Sequence, residues 1–162
     1  MVMSVNMQRG FSLIELMITI AIMGILVVAG TALTAQWSKQ AELDKAIWSL
    51  QSAISLARAT AIRNQYAKDA ESVTGQVCFN NTDKVLTIRE ATDTGVASCT
   101  STIIYSYPLS QNIEIKKADN ITSFTCFAFD SRAKSIAGTE SCPTSLTLNI
   151  SNGTLNESKT FD

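Results

Sequence analysis

Glu15 is the residue in this chain with the clearest chemical demand. It stands inside the apolar stretch Phe11-Ser12-Leu13-Ile14-Glu15-Leu16, which opens directly after Gln8-Arg9-Gly10. An ionised side chain at bilayer depth costs roughly 2.5–3.5 kcal/mol on insertion scales, so such a carboxylate needs a cation beside it or a proton on it. The other chemistry-bearing residues are Cys78, Cys99, Cys126 and Cys142, all outside the apolar stretch. No pair of them has the C-x-x-C spacing of a zinc or thioredoxin-like site. Histidine does not occur. That removes the commonest general base and metal ligand, and leaves a serine or cysteine nucleophile without its usual partner. The acids Glu71, Asp83, Glu90, Asp93, Glu114, Asp119, Asp130 and Glu140 are scattered, with no EF-hand-like run. Neither G-x-S-x-G, nor a phosphate-binding glycine loop, nor H-E-x-x-H is present. The expectation is a non-enzyme with no catalytic residues, no cofactor and no metal centre.

The elements that must position Glu15 follow from hydropathy. From Phe11 to Ala35 the chain is almost wholly apolar or small, and Leu16–Ala35 alone is about 20 residues, enough to cross a bilayer as a helix. Polar residues resume at Gln36, yet no proline occurs before Pro108 and no glycine lies between Gly30 and Gly75. Leu43, Ile47, Leu50, Ile54, Ala57 and Ala61 recur at the period of an amphipathic helix, with Lys39, Lys45, Ser49, Ser52 and Arg63 off that stripe. The simplest reading is one helix over about 12–64, roughly 80 Å long. A transmembrane helix and a second helix joined by a hinge near Gly30 is the alternative. Trp37 falls where an interfacial aromatic belt is expected, and Trp48 is expected in the core. Lys39, Glu42, Asp44 and Lys45 read as a solvated face or as charges that steer subunit packing.

After Gly75 the period changes to that of strands. Val77–Phe79, Val85–Glu90, Thr102–Tyr107, Asn112–Lys117, Ser123–Phe129 and Ser145–Ile150 are short and rich in β-branched and aromatic residues. Asn80-Asn81-Thr82-Asp83 and Asp130-Ser131-Arg132 predict turns. Ser151-Asn152-Gly153 predicts a type I′ hairpin turn with Thr154–Phe161 as the return strand. Residues 92–101 read as a loop that Cys99 could tie down. With 162 residues, a net charge of −1 and a pI near 5.4, the chain is one modest domain plus an anchor and has no electrostatic footprint for nucleic acid.

The junction of a short polar leader ending in Gly10, then Phe11, then an acid five residues into an apolar helix, resembles the class III signal of type IV prepilins and pseudopilins. An ordinary secretory signal, or a plain membrane anchor, would explain the hydrophobicity. Neither accounts for Glu15 or for Gly-Phe at the border. The resemblance implies an α+β fold of lollipop outline, type IV pilin-like, with a long N-terminal helix packed on an antiparallel β-sheet domain. It divides the chain into a leader at 1–10, a transmembrane or filament-core half-helix at 11–35, an amphipathic half-helix at 36–65 and a periplasmic or extracellular β domain at 76–162. It further implies that prepilin peptidase cuts between Gly10 and Phe11 and methylates the Phe11 amine. Glu15 would then pair with the amine of a neighbouring subunit, with a protonated carboxyl as the alternative.

The resemblance narrows to the GspH/FimT-like group of minor pilins and pseudopilins, which includes the FimU pilins. Its residues are Ala57-Arg58-Ala59-Thr60-Ala61-Ile62-Arg63 followed by Val77-Cys78-Phe79, and Phe127-Ala128-Phe129-Asp130-Ser131-Arg132, where the glycine often found next is Ala133. The implied role is a minor pilin of a type IV pilus that helps prime or cap assembly, in support of twitching motility, adhesion or DNA uptake. The alternatives are the minor pseudopilin H of a type II secretion system and a membrane-anchored periplasmic binding domain that does not polymerise. Partners would be prepilin peptidase, the major and other minor pilins, and the inner membrane before assembly, the C-terminal domain being periplasmic. Some relatives bind DNA through an arginine-rich C-terminal loop, but from residue 139 onward only Lys159 is basic, against Glu140, Glu157 and Asp162, so no nucleic acid is expected. In an exported chain four cysteines read as disulfides, with three connectivities open and buried free thiols as the alternative. The preferred pairing is Cys78–Cys99 and Cys126–Cys142, each closing a loop of about 15–20 residues for roughly 3 kcal/mol.

Overall fold

The computed structural model describes residues 11–138 and 140–161, apart from the side chains of 31–33. They form two units that meet between Ser38 and Lys39, and one helix, α1 (Leu13–Arg63, 51 residues), contributes to both.

In the first unit α1 is long and apolar enough to cross a membrane by length and composition. Leu13, Ile14, Leu16, Met17, Ile18, Ile20, Ile22 and Met23 are all exposed, so this half has no core of its own. Two of its hydroxyls are satisfied within the helix: Thr19 Oγ1 donates to the Leu16 carbonyl and Thr34 Oγ1 to the Gly30 carbonyl, both at 2.8 Å. Such back-bonding keeps polar groups paired where water is absent.

In the second unit α1 turns one face inward. Leu43, Ile47, Leu50, Ile54, Ala57 and Ala61 are buried, joined by Ala46 and Ala53. The helix ends where Asn64 takes a left-handed backbone (φ 37), a conformation that asparagine tolerates better than most residues. Asn64 then closes the exit: its Oδ1 accepts the Lys68 N–H at 2.9 Å and its Nδ2 donates to the Lys68 carbonyl at 2.8 Å.

Two antiparallel sheets cover that face. The larger has β1 (Gly75–Asn80), β2 (Val85–Glu90), β3 (Ile103–Pro108), β5 (Cys126–Phe129) and β6 (Ser135–Ile136) in the order β3-β2-β1-β5-β6. The smaller has β4 (Ile113–Lys117), β7 (Thr147–Asn152) and β8 (Leu155–Thr160) in the order β4-β7-β8. Helix and sheets share a core of Leu50, Ile54, Val77, Phe79, Phe127, Phe129, Ile113, Ile115, Leu148 and Ile150. The architecture is α+β, one long helix packed on antiparallel sheets.

Several local readings change. Trp48 is not in the core; it is 68% exposed, because it falls between the buried positions Ile47 and Leu50 and points off the stripe. The stretch Ser123–Phe129 forms a strand only from Cys126, Ser123 making an isolated bridge to Lys116. The β7–β8 hairpin does not turn on Asn152-Gly153. Asn152 pairs with Leu155, leaving Gly153-Thr154 as the loop. Gly153 has φ 63 and Thr154 has no positive φ, which fits a first-position-glycine II′ turn rather than I′. The other turns close on side-chain acceptors. Asn80 Oδ1 takes the Thr82 and Asp83 amides, and Asp130 Oδ1 takes those of Arg132 and Lys134. The Thr122 hydroxyl, then the Thr122 and Ile121 amides, hold the Asp119 carboxyl below its usual range.

Gly75 lies where β1 crosses the helix, and a Cβ there would overlap the Ala57 carbonyl oxygen and stand 3.0 Å from the Ala61 Cβ. Gly75→Ala is expected to cost about 1–3 kcal/mol of overpacking, read as a lower denaturant midpoint. Ala133 sits at φ 60, a backbone that glycine adopts without penalty. Ala133→Gly is expected to raise stability by about 0.5–1 kcal/mol, and a lowered midpoint would contradict that.

Candidate functional site

Gly10, one side of the expected cleavage point, lies outside the described residues. Phe11 is 83% exposed and Ser12 precedes the first helical residue. The Ser12 carbonyl accepts the Glu15 N–H at 3.0 Å and the Leu16 N–H at 3.2 Å, which starts α1 and fixes Glu15 in its first turn. Backbone N–H groups there carry partial positive charge, so an acid is favoured at this end of a helix. Ser12-x-x-Glu15 also has the spacing of a capping box, a signal present in the sequence that the membrane argument alone passes over. Glu15 is exposed, and among the described residues no cation is paired with it. Its carboxylate is therefore open to a partner from outside the chain.

The second unit contributes a polar clamp that sequence reasoning missed. Glu42 is not a freely solvated charge. Its Oε2 accepts from Ser110 Oγ and from Asn152 Nδ2, each at 3.0 Å, and the same Asn152 Nδ2 donates to the Lys39 carbonyl at 3.0 Å. Asn152 is 1% exposed. Its burial follows from the β7 alternation that also buries Leu148 and Ile150, a signal legible only once register is known. At the other end of this helix segment Arg63 pairs with Glu90 at 2.8 Å, and the Arg58 guanidinium carbon lies 5.4 Å from the centre of the Phe129 ring.

The cysteines gather on the sheet face turned away from the helix. Cys78 is bonded to Cys99 (Cα–Cα 5.6 Å) and Cys126 to Cys142 (Cα–Cα 5.2 Å), the nearest-neighbour connectivity. Cys78 and Cys126 are direct partners in the β1–β5 register, so the two bridges are neighbours. Between them Gln76, 2% exposed, donates to Glu140 Oε2 at 2.6 Å, while Glu140 Oε1 accepts the Cys99 N–H at 3.0 Å. Cys78, Cys99 and Glu140, and likewise Cys126, Glu140 and Cys142, stand at metal-ligand separations. All four sulfurs are committed to disulfides, so they offer no thiolate to a cation. The arrangement ties residues 92–101 and the segment after β6 to the sheet.

The described residues thus form an apolar helix whose first-turn acid has no cation among them, and a disulfide-stapled β domain. Residues 5–31 match the prokaryotic N-terminal methylation motif, the signal of type IV pilins and pseudopilins. That match supports the prepilin family and implies processing by prepilin peptidase and assembly with other pilins. With the apolar helix it fits a membrane-anchored bacterial protein. No curated protein and no solved structure matches the chain.

Asn152→Ala would leave the Lys39 carbonyl and Glu42 without their shared donor. It is expected to cost about 1–3 kcal/mol in denaturant unfolding, while Asn156→Ala, on the exposed edge strand β8, stays within about 0.5 kcal/mol.

Proposed function

We propose that the chain is a minor pilin of a type IV pilus, of the GspH/FimT-like kind. The observation that carries this is the methylation motif over residues 5–31, in register with Gly10-Phe11 and with Glu15 in the first turn of α1. On this reading prepilin peptidase cuts after Gly10 and methylates the new amine. The domain waits on the periplasmic side of the inner membrane until the helix passes into a filament. The chain acts by packing, not by catalysis.

The cut does two jobs. It removes the leader and it creates an ammonium at Phe11, the ion that a neighbour's Glu15 lacks. A pair in contact at about 4 Å loses about 40% of its Coulomb attraction when one helix slips by a turn, about 5.4 Å, past the other. In an apolar bundle, where other contacts vary little with sliding, that difference selects one axial register. The first-turn placement of Glu15 keeps it next to its own amine's level on the neighbouring helix. Two disulfides favour a pilus over a type II secretion pseudopilus, because H-type pseudopilins commonly lack them.

The mature protein is expected to begin with N-methylated Phe11 by mass spectrometry of the purified chain. Glu15→Gln should be cut normally and enter sheared filaments at least about tenfold less, the scale of one lost charge-assisted contact. Unchanged incorporation would remove the pairing mechanism. A deletion strain that keeps its pili and loses protein secretion would move the chain to the pseudopilus reading.

A further inference from the structure

The second unit holds a polar cleft of about 490 Å³ lined by Lys39, Lys84, Gln111, Asn112, Glu114 and Gly153. Its charges are two ammonium groups and one carboxylate among neutral amides. Lys84 Nζ is held at 2.8 Å by Asn81 Oδ1, and its backbone takes a left-handed φ of 54, uncommon for a residue of this size. Lys39 has no side-chain partner among the described residues. Glu114 meets Lys116 only at 3.6 Å with both side chains exposed, a contact too weak to occupy it.

The position of this cleft along the chain is as informative as its charge. Lys39 follows Ala35, the end of the apolar run, by four residues. Four residues span at most about 14 Å in any conformation and about 6 Å as a helix. The polar layer on each side of a bilayer's hydrocarbon core is about 5–8 Å deep. Trp37, 72% exposed, lies between the two, where an indole anchors at an interface. The opposite wall cannot drift from this level, because the Asn152 amide beside Gly153 is bonded to the Lys39 carbonyl.

Lysines and amide donors suit a phosphodiester, and a carboxylate across the same cleft suits a primary ammonium. A purely anionic headgroup would satisfy the lysines but bring a negative charge to Glu114, with Asp83 at the adjoining turn and a chain of net charge −1. We propose that this cleft holds the ethanolamine phosphodiester headgroup of a membrane lipid while the protein is still in the bilayer. The proposal rests on the membrane-held precursor of the preceding section and adds the chemistry of its lipid contact. Entry into a filament would then require that headgroup to be released.

The test is full-length protein reconstituted in nanodiscs of equal phosphatidylethanolamine, phosphatidylcholine and phosphatidylglycerol, ejected into a mass spectrometer with its retained lipid. Phosphatidylethanolamine should be retained roughly tenfold over the other two, the scale of one charge-assisted hydrogen bond. Glu114→Gln, which removes the carboxylate set for the primary ammonium, should bring that ratio to about one, while Lys39→Gln with Lys84→Asn, the latter keeping a side chain that tolerates the left-handed backbone, should lower the retention of all three lipids. Lys45→Gln, outside the cleft on the same helix, should leave it unchanged. Circular dichroism and the disulfide map of each variant establish that it is folded. Equal retention of all three lipids, a preference that survives Glu114→Gln, or its loss to millimolar inorganic phosphate would each overturn the headgroup assignment. Failure of the protein to enter nanodiscs at all would instead overturn the membrane reading beneath it.

Discussion

The apolar face that α1 presents from Leu43 to Ala61 is the surface on which both sheets are built. The larger sheet meets it through Val77, Phe79, Phe127 and Phe129, and the smaller through Ile113, Ile115, Leu148 and Ile150. Neither sheet shares a strand with the other, so the helix face is what makes them one core. Burial of each such side chain is worth about 1.5–3 kcal/mol, and their sum outweighs the few polar contacts at the margin. The polar contacts do a different task. Hydrophobic packing is tolerant of sliding, and the bonds that resist it sit at the two ends: Asn152 and Ser110 on Glu42 and Lys39 at one, Arg63 on Glu90 and Thr74 Oγ1 on the Ala61 carbonyl at the other. The close crossing at Gly75, against Ala57 and Ala61, fixes the depth.

That division of labour explains what was legible in the sequence. The stripe of α1 and the alternation of β2 and β7 follow from local periodicity, which the burial matches because one side of each faces the core. β1 breaks the rule. Its Val77 and Phe79 face the helix while Gln76 and Cys78 face the disulfide cluster, so five of its six residues are buried and alternation says little. Trp48 misleads for the opposite reason: a large apolar residue invites a core assignment, but the helical phase set by Ile47 and Leu50 puts it outside. Asn152 misleads through its neighbour, since Asn-Gly is a strong turn signal, while the register places asparagine as the last paired residue and glycine as the first of the loop.

The site itself divides in the same way. Glu15 stands out from sequence because its cost in an apolar helix is a property of composition and needs no contact. Its capping position is equally local. The Glu42 clamp joins residues more than a hundred positions apart, and the Gln76–Glu140 pair joins residues 64 apart, so no local pattern could reveal them. Glu42 and Glu15 lie on one helix, but Glu15 stands among Leu13, Ile14, Leu16 and Met17 and Glu42 among Lys39, Gln40, Asp44 and Lys45. Composition singles out Glu15, and only the fold shows that Glu42 is satisfied by Ser110 and Asn152.

An acid left open at the start of a helix that has no core of its own is not a defect in this chain. In the second unit the inward face of the helix is covered, and the four cysteines are paired. The first unit differs, because its apolar side chains are exposed and Glu15 has no cation among the described residues. Lipid can cover the side chains but cannot supply the charge. Other copies of a helix of this kind can do both, since each brings apolar surface along its length and, once cut, an ammonium at its end. The proposed exchange from bilayer to filament is therefore driven where the bilayer serves the chain worst, at Glu15, and nearly neutral along the rest of the apolar run. On the proposed reading, a subunit built this way stays in the membrane until a partner with the matching end is present.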